Sequence, residues 1–165
     1  LAPKKSDLFF SDVISEGSYD DKCLPIYDLQ AVATTFGEQP STNIKGWKPM
    51  PNKHHLGDKF IAKVVGKSME PTIPDGSWCL FRFERGGSRN GKIVLVESRQ
   101  VTDPETHQKF TIKRYSSEKE YSEDGTWQHK KIILSPDNKA FKDIILENVA
   151  GDDFRVVAEF VEVLK

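Results

Sequence analysis

The stretch Val64–Phe81, VVGKSMEPTIPDGSWCLF, sets Ser68 where a strand-like run gives way to Pro71, Pro74 and an Asp75-Gly76 pair. A serine hydroxyl is a weak nucleophile until a neighbouring base takes its proton. Histidine is the usual base, and the chain has four: His54 and His55 in a Pro-rich connector, His107 and His129 in apparent loops. None has an obvious orienting carboxylate beside it, although a Ser-His-Asp triad assembles in space and spacing alone does not decide against it. The second candidate base is Lys113, which follows an apolar position inside FTIKRY. A lysine buried among apolar neighbours loses hydration of its charged form, so its pKa falls. Neutral, it can take the serine proton and return it to a leaving amine. Taken alone, Ser68 reads first as a turn serine and Lys113 as a lysine on the wet face of a strand. No Cys/His spacing resembles a zinc site and no Gly-rich loop resembles a phosphate cradle, so neither metal nor cofactor is expected.

The elements that must position these side chains are mostly strands. In residues 59–66, KFIAKVVG, Phe60, Ala62 and Val64 share one face. SWCLFRF at 77–83 and KIVLVES at 92–98 are aromatic and β-branched, with GGSRNG between them as a turn. VTDPETHQ reads as a hairpin loop leading into KFTIKRY at 109–115, where Phe110 and Ile112 oppose Thr111, Lys113 and Tyr115. KKIILS and FRVVAEFVEVL are further strands, and PDNKAFKDIILEN between them reads as loop with apolar anchoring. Residues 1–53 read as an irregular arm with one short helix and one or two short strands, ending in the connector KGWKPMPNKHH. The expectation is a mainly β fold of short twisted sheets, divided into an arm at 1–53 and a domain at 54–165.

Bulk properties narrow the partners. A chain of 165 residues fits one domain with an N-terminal extension and can bury a core without disulfides. The net charge of −1 offers no general attraction to nucleic acid or anionic membrane. No apolar run approaches the ~20 residues of a membrane-spanning helix. Cys23 and Cys79 are far apart and read as reduced thiols of a cytosolic protein. The first residues, LAPKKSDLFF, show neither a signal-peptide core nor an initiating Met, so the chain reads as a fragment or a processed product.

Taken together and in order, the motifs resemble those of the LexA-type self-cleaving peptidases, the family of LexA, UmuD and phage repressors, distantly related to signal peptidases. The residues that carry the resemblance are Gly66, Ser68, Met69, Pro71, Asp75, Gly76, Gly91, Lys113 and Arg114, within residues 47–165. The resemblance implies a LexA/signal-peptidase-like fold, with Ser68 as nucleophile and Lys113 as general base. Main-chain N–H groups of Lys67 and Ser68 would form the oxyanion hole. Gly66, Met69 and Pro71 would shape the turn or the substrate pocket. It also implies a bacterial cytoplasmic setting and a link to stress or DNA-damage (SOS) regulation.

The family cuts its own chain between Ala and Gly, some thirty-five residues ahead of the serine. Ala33 stands at that offset, within segment 24–36, but Thr34 follows it. A β-branched residue restricts the backbone and adds bulk at the bond. Two functions are therefore carried forward. One is a Ser-Lys peptidase acting on its own chain or a fused neighbour. The other is an interaction and dimerisation module that keeps the fold with its N-terminal arm docked. A signal peptidase acting in trans ranks third. No DNA-binding domain is visible, and no direct nucleic-acid contact is expected. The last strand, DFRVVAEFVEVLK, is apolar on both sides at several positions, which suggests either an internal strand or a homodimer contact, and the resemblance favours a two-fold homodimer through this strand.

Overall fold

A computed structural model describes residues 12–34, 44–149 and 153–165, apart from the side chains of Thr34 and residues 127–130. The first part of the arm and the last two residues of segment 24–36 lie outside the described residues. The elements are β1 (Cys23–Ile26), α1 (Leu29–Thr34), β2 (Gly46–Pro49), β3 (Lys59–Val64), β4 (Ser77–Phe83), β5 (Ile93–Ser98), β6 (Phe110–Tyr121), β7 (Trp127–Ser135), β8 (Ile144–Glu147) and β9 (Phe154–Val163). The fold is mainly β, as expected. The nine strands form one mixed sheet in the order β2-β1-β3-β4-β9-β5-β6-β7-β8. All pairings are antiparallel except β1 with β3, which meet in parallel at Ile26 and Ile61.

Both faces of the central strands are covered, which explains their unbroken apolar runs. In β5, Ile93 and Leu95 enter one core with Phe60, Phe81 and Phe83, while Val94 and Val96 enter a second with Tyr115, Ile132 and Leu134. In β3, Phe60, Ala62 and Val64 face the first core, while Ile61 packs with Leu24, Ile26 and Leu80 in a third. Alternation of side chains along a strand delivers neighbouring residues to opposite layers.

Three readings of the sequence are corrected. PDNKAFKDIILEN contains a strand, β8, which pairs with β7. Its signal is faint because it is four residues long and only Leu146 is buried. The connector contributes β2, a sheet-edge strand on which Pro49 costs no ladder bond. The β6–β7 hairpin runs beyond the apolar alternation to Tyr121 and restarts at Trp127, so His129 belongs to a strand. Ser116–Tyr121 is polar and largely exposed, without the two-residue pattern that marks a half-buried strand. Of the last strand's two alternatives, the internal placement is the one observed for β9. It sits between β4, which pairs with residues 158–163, and β5, which pairs with residues 154–159.

Candidate active site

The serine turn begins where β3 ends. Gly66 has φ of +114°, a conformation open to glycine, and its N–H donates to Asp75 Oδ1 at 2.8 Å. Gly76, with φ of +78°, returns the chain by donating its N–H to the Val64 carbonyl at 2.8 Å. Between these two closures, Met69 is buried and joins the first core, anchoring the turn, while Pro71 is exposed. The loop after β7 braces the turn from outside. Asn138 Nδ2 donates to the Lys67 carbonyl at 3.0 Å, and the Asn138 N–H donates to the Ser68 carbonyl at 2.9 Å. That loop is held in turn by Arg114, whose Nε and Nη2 donate to the two Asp137 oxygens at 2.9 and 2.7 Å.

Ser68, 7% exposed, faces Lys113, 2% exposed. Lys113 Nζ stands 2.9 Å from Ser68 Oγ. It also donates to Thr111 Oγ1 at 2.8 Å and to the Ile112 carbonyl at 3.1 Å, and lies 3.5 Å from Asp103 Oδ2. Burial pushes the Lys113 pKa down from its ordinary 10.5, and the charges of Asp103 and Glu105 oppose that shift without cancelling it. Asp103 is itself buried, which alone would raise its pKa. Hydrogen bonds from Thr111 Oγ1 and the Thr106 N–H, the Lys113 charge and the Glu105 N–H outweigh this and bring it below the ordinary carboxyl range. A carboxylate that stays charged therefore lies beside a lysine that sheds its proton more readily than usual.

The backbone amides of Lys67 and Ser68, expected as oxyanion donors, are engaged by one carboxylate. Lys67 N–H donates to Glu105 Oε2 at 2.8 Å and Ser68 N–H to Glu105 Oε1 at 3.0 Å. A small cleft of about 40 Å³ opens over Ser68, with Leu29, Val64, Met69, Phe110 and Ile112 supplying its apolar wall.

A family model described as Peptidase S24-like matches residues 25–161. The chain belongs to the Peptidase S24-like family. This is the family of LexA, UmuD and the phage repressors, and it is a family of serine peptidases. No curated protein matches the chain.

In this S24-like chain, Gly66, Lys67, Ser68, Met69 and Pro71 form one turn, and β6 brings Lys113 to it. Ala33 and Thr34 are placed differently. They end α1, and Ala33 is fully buried. Among the described residues, the part of α1 that lines the Ser68 cleft is Leu29. Among the described residues, the basic side chain hydrogen-bonded to Ser68 is Lys113, and no cluster of three or more His, Cys, Asp or Glu could hold a metal. Cys23 and Cys79 are free and buried, and burial pushes the Cys79 thiol up to about 12.

Sequence reasoning missed four residues around the Ser68–Lys113 contact: Asp103, Glu105, Thr111 and Asn138. Thr111 was legible in principle, since it lies two residues before Lys113 on the same strand face. Asp103 has a weaker signal: an Asp followed by Pro-Glu-Thr commonly caps backbone N–H groups two and three residues on, as it does here. Glu105 and Asn138 reach the site from separate loops, and local spacing carries no trace of that.

Proposed function

We propose that the chain is a serine endopeptidase with a Ser68-Lys113 dyad, cleaving its own N-terminal segment or a fused neighbour by acyl transfer. The observation that carries this reading is the buried 2.9 Å approach of Lys113 Nζ to Ser68 Oγ. A neutral amine has two N–H donors and one lone pair. Thr111 gives its hydroxyl proton to Asp103, so its oxygen is free to accept from Nζ. With Thr111 Oγ1 and the Ile112 carbonyl taking the two N–H groups, the lone pair is left for the Ser68 hydroxyl.

The reaction then runs in two halves. Ser68 Oγ attacks the scissile carbonyl carbon while Nζ takes its proton, and the carbonyl oxygen becomes an oxyanion facing the Lys67 and Ser68 amides. Collapse breaks the C–N bond. The amine leaves with the proton from Nζ, and an ester remains on Ser68. Water attacks that ester, giving its proton to Nζ, and releases a carboxylate and the free serine.

The reading extends to a regulatory, stress- or DNA-linked role in a bacterial protein, with residues 1–53 as an arm. Among the described residues no helix is long and apolar enough to cross a membrane. The deciding experiment exposes the chain to a fluorophosphonate and locates the adduct by peptide mass. Modification at Ser68 that disappears in Lys113→Met supports the dyad, and absence of modification at every pH, in Glu105→Ala as well as in the unaltered chain, removes it.

A second reading, a module that keeps the fold with a docked arm, is favoured by one observation. Ala33 is buried in a helix, whereas a peptidase engages its substrate as extended chain. A chain that retains its full mass under alkaline conditions but still reacts with the fluorophosphonate would have a competent dyad and a withheld cleavage segment.

A further inference from the structure

We propose that Glu105 is an internal ligand of the oxyanion site, holding the Lys67 and Ser68 amides closed to substrate until its side chain swings away. The inference rests on the peptidase reading and adds a mode of regulation to it.

The contacts have the geometry of an occupied anion site. The two amide-to-carboxylate distances, 2.8 and 3.0 Å, fall within the ~2.7–3.1 Å expected between such donors and a reacting oxyanion. A tetrahedral intermediate would direct one oxygen at the same two N–H groups, so substrate and Glu105 exclude each other. Gly66 leaves room for the carboxylate. A Cβ built there would meet Glu105 Oε1 at 3.0 Å.

The loop presents Glu105 from a fixed base. Asp103 is 6% exposed and accepts the N–H groups of Glu105 and Thr106 through Oδ1, while Oδ2 takes the Thr111 hydroxyl. The anchor is therefore shared with the residues that orient Lys113. Glu105 itself is only half-buried, so its side chain can swing to solvent while the anchor stays in place.

A carboxylate on two turn amides could instead be a staple that keeps the turn in shape. The two roles predict opposite signs. Removing a staple loosens the turn and slows Ser68, whereas removing a plug frees the donors and speeds it. The test measures the rate at which a fluorophosphonate modifies Ser68, a step that forms an Oγ–P bond, releases fluoride and needs the phosphoryl oxygen in the anion site. Hydrogen exchange at the Lys67 and Ser68 amides is followed in parallel. Glu105→Ala should react about ten-fold faster than the unaltered chain, with both amides exchanging faster, and Glu105→Gln should fall between. Equal or slower reaction in Glu105→Ala, with the unaltered chain reactive, overturns the plug and leaves the dyad standing. Silence in all three chains, with the fold intact by circular dichroism, overturns both.

Discussion

Thr111 and Lys113 stand two residues apart on one face of β6, and Thr111 Oγ1 accepts from Lys113 Nζ at 2.8 Å while giving its own proton to Asp103 at 2.6 Å. The hydroxyl thus relays between a buried carboxylate and a buried amine, and it fixes which way the amine points. Thr111→Val keeps the shape but removes the relay. It should slow Ser68 modification about ten-fold or more and destabilise the chain by ~1–3 kcal/mol, because Asp103 loses a partner in a buried setting. Thr111→Ser should restore most of both. Labelling rates and urea melts on the three chains check this.

The reactivity of Ser68 should rise with pH, with a midpoint below the 10.5 of an ordinary lysine, because burial lowers the Lys113 pKa. The sign for stability is the same. The unfolded chain binds the extra proton between the folded and unfolded pKa values, so this group's contribution is complete above the unfolded value. It is lost as pH falls through the folded one. In Asp103→Asn the stabilising charge beside the ammonium is gone, and the midpoint should move lower still. A pH–rate series on both chains reads the shift, and a midpoint that moves upward would remove Asp103 from this role.

Self-cleavage at Ala33-Thr34 should be slow, because α1 must unwind before the bond can lie extended. Held at about pH 10, where a lysine with a lowered pKa is more often neutral than at about pH 7, the chain should lose mass over hours to days. Thr34→Gly weakens the helix by roughly 0.5 kcal/mol and removes the β-branch, so it should cleave faster. Ser68→Ala should not cleave at all. Mass spectrometry over time distinguishes the three, and equal cleavage in Ser68→Ala would assign the break to another cause.

The Arg114–Asp137 pair holds the loop that braces the serine turn. Arg114 is 41% exposed on its side chain, so solvent screening leaves its loss at about 1 kcal/mol or less in stability. Its effect on Ser68 should be larger, since Asn138 bonds both Lys67 and Ser68. Arg114→Met should therefore slow labelling more than its small change in melting temperature would suggest, and Asn138→Ala should do the same.

If the chain forms a homodimer through β9, the contact can use an exposed face of the strand or the edge of residues 160–163, which lies beyond the pairing with β5. Val161 is 42% exposed and is the residue to test. Phe160 is a poorer choice because it packs on Phe81, with ring centroids 6.1 Å apart. Light scattering across a dilution series should show a dimer that Val161→Glu converts to a monomer without loss of fold. A monomer at every concentration would end the idea.

The sequence by itself determined the strand-rich class, the cores and the dyad candidates. Phe60, Ala62 and Val64 repeat every second residue, and that period is written locally wherever a strand has a buried face. The Gly66–Gly76 turn was legible for the same reason, since Gly, Pro and Asp impose backbone geometry within a few residues. Short or wet strands escaped: β8 buries one residue, and the outer half of the β6–β7 hairpin buries little. The tertiary structure alone decided that β9 lies inside the sheet, that Asp103 and Glu105 close in on Lys113 and the Lys67–Ser68 amides, and that Asn138 braces the turn from 71 positions away. A hydrogen bond depends on where two atoms meet, and chain closure over such separations is set by the packing of the whole sheet, which no local pattern encodes.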